Sequence, residues 1–510
     1  MDDKPPFQEN NPPNQNSGEV SSNPPGIGHK QFQSPASFQP SGPQQIPVNQ
    51  SPASATPPQP PPPTSPPPII EEENFLSTFF WGKILKIVAG FLVALFVLFI
   101  VFGVLIPTLT KKKDQKVNLT YWGLWEDSRV MQGVISDFER LNPNISIKYT
   151  KEDINSYRDR LAARIANGTG PDLFRFHNSW YPMLSSALSP LPENVISKKD
   201  FTSDYPKVVQ TDLIKNGAIY GLPLEIDSLS LYINKDLFQA AGQKIPTTWE
   251  EFRTASKALT VKDETGKIKT AGASLGTYGN VSHAPDILSL LFVQNGADIK
   301  SLTNSQTQVV DALKFYTSFS SDNASKVWDS SLDPSTLAFS KGTLAMYFGY
   351  SWDFFTIKAA APSLSFSIVP VPQLDKNNPT DIASYWVEGI SAKSPHQKEA
   401  LLFVKYLSST GIQQKIYTEE AKTRTFGEPY ANLTLAKELV ADPNLSAFVT
   451  QAKFAASSYF VDNTFDNGIN SKLNKYLEDA VNSTLQNTSP ESATVTLFAG
   501  YSQVLKGYGK

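Results

Sequence analysis

The sequence predicts an α/β globular region, preceded by one membrane-spanning helix and an unstructured tail. Three observations carry that prediction. From Val117 onward, short runs of alternating apolar and polar residues are interleaved with segments of helical periodicity, the strand–helix–strand–helix order that builds a largely parallel sheet. Between Lys86 and Lys111 lie 24 residues without a charge. Of the 39 prolines in the 510-residue chain, 20 fall in residues 1–70.

The tail comes first. Residues 1–78 are rich in Pro, Gln, Ser and Asn and poor in apolar side chains, so they bury too little surface to offset the entropy of ordering and are expected to be disordered. The proline runs from Pro57 to Pro63 and Pro66 to Pro68 suit extended polyproline II, either as a spacer or as a ligand for a proline-recognising partner. Residues 79–110 are expected to form the transmembrane anchor, with residues 87–110 in the lipid bilayer, because about 20 apolar residues span a bilayer core as a helix. Phe79, Phe80 and Trp81 suit the interface ahead of it. The run is too long for the apolar core of a cleavable leader, which has about 7–15 residues, and no small-residue cleavage site follows it. Flanking charge is ambiguous. Lys83 and Lys86 precede the span, whereas Lys111, Lys112, Lys113 and Lys116 follow it. By that count alone the C-terminal side would face the cytoplasm.

Composition then narrows the chemistry. The net charge of −3 gives no reason to expect a nucleic-acid partner. The absence of Cys excludes disulfides, thiolate nucleophiles, zinc–thiolate sites and an acylated-Cys anchor. The four histidines, His29, His177, His283 and His396, are scattered, and no metalloprotease spacing occurs. No metal and no cofactor is expected.

Within the globular region, Val117 to Trp122 alternates as a first strand. A helix follows from Asp127, with Val130, Val134, Ile135, Phe138 and Leu141 on one face, and stops at Asn142–Pro143. Ile145 to Tyr149 alternates again, and Tyr157 to Ile165 is helical. Gly168 and Gly170 end that helix, and Pro171–Asp172 lead into a buried strand, Leu173 to Phe176. No phosphate-loop pattern accompanies these glycines. Tyr220-Gly-Leu-Pro223 is a turn, and Ile226 to Ile233 alternates as a strand. Asn234 caps a helix ended by Gly242, and Thr247 or Thr248 caps the next, with Glu250 and Glu251 behind it. Helices are expected at Ile287 to Gly296 and Val309 to Phe319, a buried strand at Leu344 to Phe348, and two final helices between Gly468 and Lys506.

Several of these segments, in this order, resemble the family 1 bacterial extracellular solute-binding proteins, the maltose-binding-protein-like receptors of ABC importers. The resemblance rests on N-G-T-G-P-D-L-F at 167–174 and on Y-G-L-P, N-K-D-L-F and P-T-T-W-E-E-F between Tyr220 and Phe252. It also rests on F-S-K-G-T-L-A-M at 339–346, where Lys and Gly are transposed relative to the family pattern, and on the V-P-V-P exit at 369–372. It covers about residues 117–506. It implies a two-lobed, type II periplasmic-binding-protein-like α/β fold, with lobe 1 expected at 117–227 plus 387–458 and lobe 2 at 228–386 plus 459–510. The lobes would be joined by crossings near Asp227, Trp386 and Tyr459. It further implies hinge closure on a ligand, delivery to ABC permease subunits, and a single-pass protein of the cell membrane with the binding domain outside.

Ligands of open α/β sheets sit beyond the carboxyl ends of strands. That rule nominates Trp122, Trp125 and Glu126 after the first strand, His177, Asn178 and Trp180 after the third, and Glu225 and Asp227 at the hinge turn. The resemblance adds Tyr278, Trp352, Trp386 and Glu388, with Arg424 in a loop that lacks the proline of its relatives. The nominated ligand-binding set is Trp122, Trp125, His177, Trp180, Asp227, Tyr278, Trp352, Trp386 and Glu388. Aromatic faces beside carboxylates suit a sugar or oligosaccharide, whose C–H face stacks on a ring while its hydroxyls donate to acceptors. For any single Trp, core packing competes with that role. Peptides and polyamines remain open as ligands, and the lack of a basic cluster argues against phosphates. No catalytic residue is nominated. A sensor or surface receptor on the same fold is the alternative function, followed by a glycan-active enzyme using paired carboxyls such as Glu225 and Asp227.

Overall fold

A computed structural model of the chain describes residues 79–105, 116–321 and 325–509. The Pro-rich tail and the lysines at 111–113 lie outside the described residues. The expected anchor is an α-helix over Phe79–Ile100, continued by a π-helical turn, Val101–Leu105. Its Lys86–Gly103 segment has a mean hydropathy of 2.6, with no residue buried. It is long and apolar enough to cross a membrane.

In the globular region, the first sheet has the order Ile145–Lys151, Val117–Gly123, Leu173–His177, Trp386–Ser391, Leu188–Ser189. The first three strands are parallel, as the alternation of strands and helices predicts. The fourth returns from far along the chain and pairs antiparallel with Leu173–His177. Asp127 caps the Ser128–Leu141 helix, accepting from Arg129 N at 2.9 Å, and Val130, Val134, Ile135 and Phe138 are buried. Leu141, expected on the same face, is 63% exposed; it is the last residue of the helix. Asp172 of the Gly-Pro-Asp turn accepts from Thr120 N at 2.8 Å and from Ser394 Oγ at 2.6 Å. That acidic side chain thus pins three separate segments together.

The second sheet has the order Phe366–Pro370, Ser230–Asn234, Leu344–Gly349, Ile268–Ala273, Val261–Lys262. Asn234 accepts from Leu237 N at 3.2 Å and starts the Lys235–Ala240 helix. Thr248 and Glu251 form a reciprocal capping box on Trp249–Leu259. The strand expected from Ile226 to Ile233 is two strands, Asp227–Ser228 and Ser230–Asn234, broken at Leu229. The break has a topological cause: the first piece belongs to a third sheet, ordered Ala455–Ala456, Asp381–Ser384, Asp227–Ser228. Three short strands therefore run side by side where the chain passes between lobes.

Two hydrophobic cores result. One gathers Leu119, Phe138, Phe174, Phe176, Val387 and Phe403. The other gathers Leu231, Tyr232, Phe252, Leu288, Trp328 and Tyr347, and the C-terminal helices Ile469–Leu485 and Pro490–Lys506 pack into it. Within residues 387–458, expected in lobe 1, Phe426, Leu435, Phe448 and Val449 pack in the second core, whereas Ala431 and Ala452 pack in the first. After the Thr410–Ala421 helix the chain crosses once more, and Phe426 packs on Phe354 and Phe355 with ring centroids 5.0 and 4.6 Å away.

Gly272 lets the Trp249–Leu259 helix lie directly on the second sheet, since a Cβ there would fall 1.8 Å from the Ser256 carbonyl oxygen. Gly272→Ala is expected to destabilise the second lobe by about 1–3 kcal/mol, the usual cost of overpacking. Denaturant unfolding monitored by tryptophan fluorescence measures it; an unchanged midpoint would contradict the close approach.

Candidate ligand-binding site

Strand ends from both lobes converge on a cavity of ≈ 540 Å³. The first lobe contributes Trp125, His177 and Trp386, and the second contributes Trp352, Asp353 and Thr356. Glu225, Asp227 and Ser384 come from the hinge, and Arg424, Glu428 and the 462–465 loop close the sides.

Trp386 is the hub of the first wall. Its ring meets those of Trp125, His177 and Trp180 edge-on, at 5.3, 5.1 and 5.2 Å between centroids. Antiparallel pairing fixes this geometry by placing Trp386 opposite His177 in register. The His177 ring is held between Ser179 Oγ (2.7 Å to Nδ1) and Ser384 Oγ (3.0 Å to Nε2). Burial pushes its pKa down to about 3, so it is a neutral hydrogen-bonding group at physiological pH. In the facing wall, Trp352 stacks on Tyr350 at 4.5 Å and 20°. Trp125 and Phe465 remain 40% and 48% exposed.

The polar floor is acidic. Asp227 accepts from Ser351 N at 2.7 Å, which joins the hinge to the start of the Ser351–Ala360 helix, and burial raises its pKa well above the usual carboxylate range. Beneath the floor Arg175, 1% exposed, donates to Glu388 Oε1 at 2.7 and 2.5 Å and to Glu126, and pairs with Glu225 at 3.2 Å. Burial likewise lifts Glu225 well above its ordinary value, against the pull of Arg175. Arg424 is taken by Glu420 at 3.0 Å and Glu428 at 2.7 Å. His283, also buried, bonds Asp353 at 2.9 Å and approaches Asp462 at 3.4 Å.

A model of the bacterial extracellular solute-binding proteins matches residues 122–414, more than half of the chain. The chain belongs to this family. The multiple sugar-binding protein of Streptococcus mutans is 26% identical over 322 residues, which is 60% of this chain and 75% of that one. Among solved structures, the sugar-binding protein MalE from Xanthomonas citri has a TM-score of 0.62 at 18% identity, covering 77% of this chain and 98% of that one. An ABC substrate-binding protein from Listeria monocytogenes in complex with cycloalternan has a TM-score of 0.59 at 22% identity, covering 77% and 99%. The fold is the two-lobed type II periplasmic-binding-protein fold, and the family comprises substrate-binding proteins of ABC importers, which are not enzymes.

In this solute-binding protein, Trp125, His177, Asp227, Trp352 and Trp386 of the nominated residues come together around the cavity. Four others lie elsewhere. Trp122 does not line the cavity; it packs on Tyr157 at 6.3 Å under the Arg164 guanidinium, 5.8 Å from its ring centre. Trp180 is fully buried behind Trp386, because the chain turns inward through Asn178–Trp180 after the strand. The hydroxyl of Tyr278 donates to Asn474 O at 3.1 Å, so it points at the C-terminal helices. Glu388 follows Trp386 by two residues, which puts it on the same strand face but one step deeper, where Arg175 opposes it in register. Sequence reasoning did not nominate Asp353, Glu428, Asp462 or Phe465. Asp353 adjoins Trp352 and had a signal in that position. The 462–467 loop carries one in its Asn-rich D-N-T-F-D-N sequence, with Asn463, Phe465 and Asn467 all at positive φ.

Burial alone would lower the His283 pKa, but the charge and hydrogen bond of Asp353, with Asp462 and Asp286 behind, hold it up at about 9. A folded-state pKa above the unfolded value gives stability that is complete below about pH 6.5 and lost as pH rises through about 9. Asp286, lifted by burial to about 7, is still about half protonated at pH 7 and completes its ionisation early in that window. Between pH 7 and 10 the wild type is expected to lose on the order of 3 kcal/mol relative to His283→Gln. Urea unfolding of both across that range measures it, and parallel pH profiles would refute the pairing.

Proposed function

We propose that the protein captures a sugar or oligosaccharide outside the cell by closing its two lobes, and passes it unaltered to the permease subunits of an ABC importer. One observation carries this reading: the cavity presents indole faces from both lobes above a floor of hydrogen-bond acceptors. A pyranose offers the complementary pair of surfaces, an apolar C–H face and donating hydroxyls. The name of the Streptococcus mutans relative points the same way. A ligand that touches both lobes binds the closed state more tightly than the open one and shifts the population toward it.

The Phe79–Ile100 helix anchors the protein as a single span with the binding domain extracellular, in place of a lipidated Cys, which the sequence lacks. The neutral His177 and ion-paired carboxyls serve recognition rather than catalysis. The slightly acidic chain does not engage nucleic acid.

Trp352→Ala and Trp386→Ala are each expected to weaken saccharide binding about tenfold or more, as loss of an aromatic contact worth about 1.5 kcal/mol requires. Titration calorimetry of the full-length chain in detergent against mono- and oligosaccharides measures this. Binding of a non-carbohydrate solute with no response to any saccharide would overturn the sugar assignment. Protease shaving of intact cells should remove the domain after residue 117; its protection would reverse the orientation.

A further inference from the structure

The cavity's charge is lopsided. Among the described residues, five carboxyl side chains line it, Glu225, Asp227, Asp353, Glu428 and Asp462, against one guanidinium, that of Arg424. That guanidinium is spent on Glu420 and Glu428. His283 serves Asp353 and Asp462 from behind the second wall. Glu225 shares the Arg175 guanidinium with Glu126 and Glu388, so three carboxyls divide one positive charge, and Glu126 Oε2 is buried without a hydrogen-bond partner. Asp227, 4% exposed, accepts from the backbone amides of Ser228 and Ser351 and from the Ser351 side chain, all neutral donors, and no salt bridge reaches it among the described residues.

Neutral hydroxyls need acceptors, but they do not need two acids at the hinge, one sharing its cation with two other carboxyls and one with no salt bridge among the described residues. Ionising buried carboxyls without a counter-charge is costly, so they stay neutral until a cation arrives to offset that cost. We propose that the saccharide captured here carries a protonated amino group, an aminosugar unit whose ammonium is held by Glu225 and Asp227. This rests on the saccharide reading above and narrows it. The two indole walls take the ring, and the acid pair selects the amine over a hydroxyl and rejects a carboxylate. Burial favours the protonated form of both acids in the empty cavity, so ammonium binding converts carboxylic acid to carboxylate, and each proton lost passes to solvent.

The test uses the full-length chain in detergent and matched ligand series: glucosamine, N-acetylglucosamine, glucose and glucuronate, the galactose equivalents, and the β-1,4-linked disaccharides of each. Calorimetry at low salt is expected to give the amine at least about tenfold tighter binding than its hydroxyl and N-acetyl counterparts, as a charge-assisted hydrogen bond supplies. The uronates are expected not to bind. Repeating the titration in buffers of different ionisation enthalpy should reveal net proton release. Asp227→Asn should bring the ratio of amine to hydroxyl-ligand affinity, both measured on the same variant, close to one, whatever its effect on binding as a whole, and Glu225→Gln provides the same comparison if the first variant fails to fold. Equal or weaker binding of the amine overturns this inference and leaves the saccharide reading intact. A response only to non-carbohydrate solutes overturns both.

Discussion

Arg175 holds the binding half of the first lobe together. Its guanidinium sits on the central strand of the sheet and reaches the loop after the first strand through Glu126, the returning strand through Glu388 and the hinge turn through Glu225. These three partners are 49, 213 and 50 residues away in the chain. Each supplies the backbone next to a cavity residue: Glu126 follows Trp125, Glu388 lies two residues past Trp386, and Glu225 precedes Asp227 by two. A buried ion pair is weak evidence for net stability, because desolvation offsets much of its attraction. Removing one partner, however, leaves uncompensated buried charge, so the network is intolerant of rearrangement and fixes where the cavity wall stands. That intolerance gives the site its geometry.

The second lobe achieves the same end with different groups. His283 enters at φ 58 and bonds Asp353, whose carboxyl also accepts from Tyr350 N at 2.9 Å and so caps the helix that presents Trp352. Asp286 accepts from the Tyr350 hydroxyl at 2.8 Å and from Asp462 N at 3.0 Å, which ties the 462–465 loop to the same cluster. Each lobe thus places an indole over a buried ionic group, a cation with its carboxylates, which holds the segment carrying the aromatic surface in place.

The fold was legible in the sequence because its signals are local. The Asn234 cap, the Thr248–Glu251 capping box and the helix-ending Gly168 and Gly242 each depend on a few neighbouring residues, and all take their expected conformations. The site was legible only in part, because strand alternation says which face a side chain takes but not how deep it lies. Trp386 and Glu388 share a face, yet Trp386 reaches the cavity and Glu388 stays beneath it. Trp180 and Trp125 both follow a strand, yet one turns into the core. Depth is set by partners hundreds of residues away, such as Arg175 for Glu388, and no local pattern encodes them. The extra passage between lobes after the Thr410–Ala421 helix was missed for the same reason: Phe426 has no neighbour in sequence that reveals its partners Phe354 and Phe355.

The hinge brings these strands of argument to one point. Its central strand, Asp381–Ser384, carries Asp381 fully buried, with Oδ2 free of hydrogen bonds and a pKa raised well above the usual range by burial. On the neighbouring strand Asp227, opposite Ser384 in register, is also pushed well above the usual carboxylate range by burial, although both its oxygens accept hydrogen bonds. Two acids held toward their protonated forms in adjacent strands repel each other little, so the hinge tolerates them while the cavity is empty. Their charge is held in reserve where the strands of the hinge run side by side. A ligand that draws a proton from Asp227 therefore acts on the hinge and on its own binding through a single carboxyl, and capture and closure become one electrostatic event rather than two.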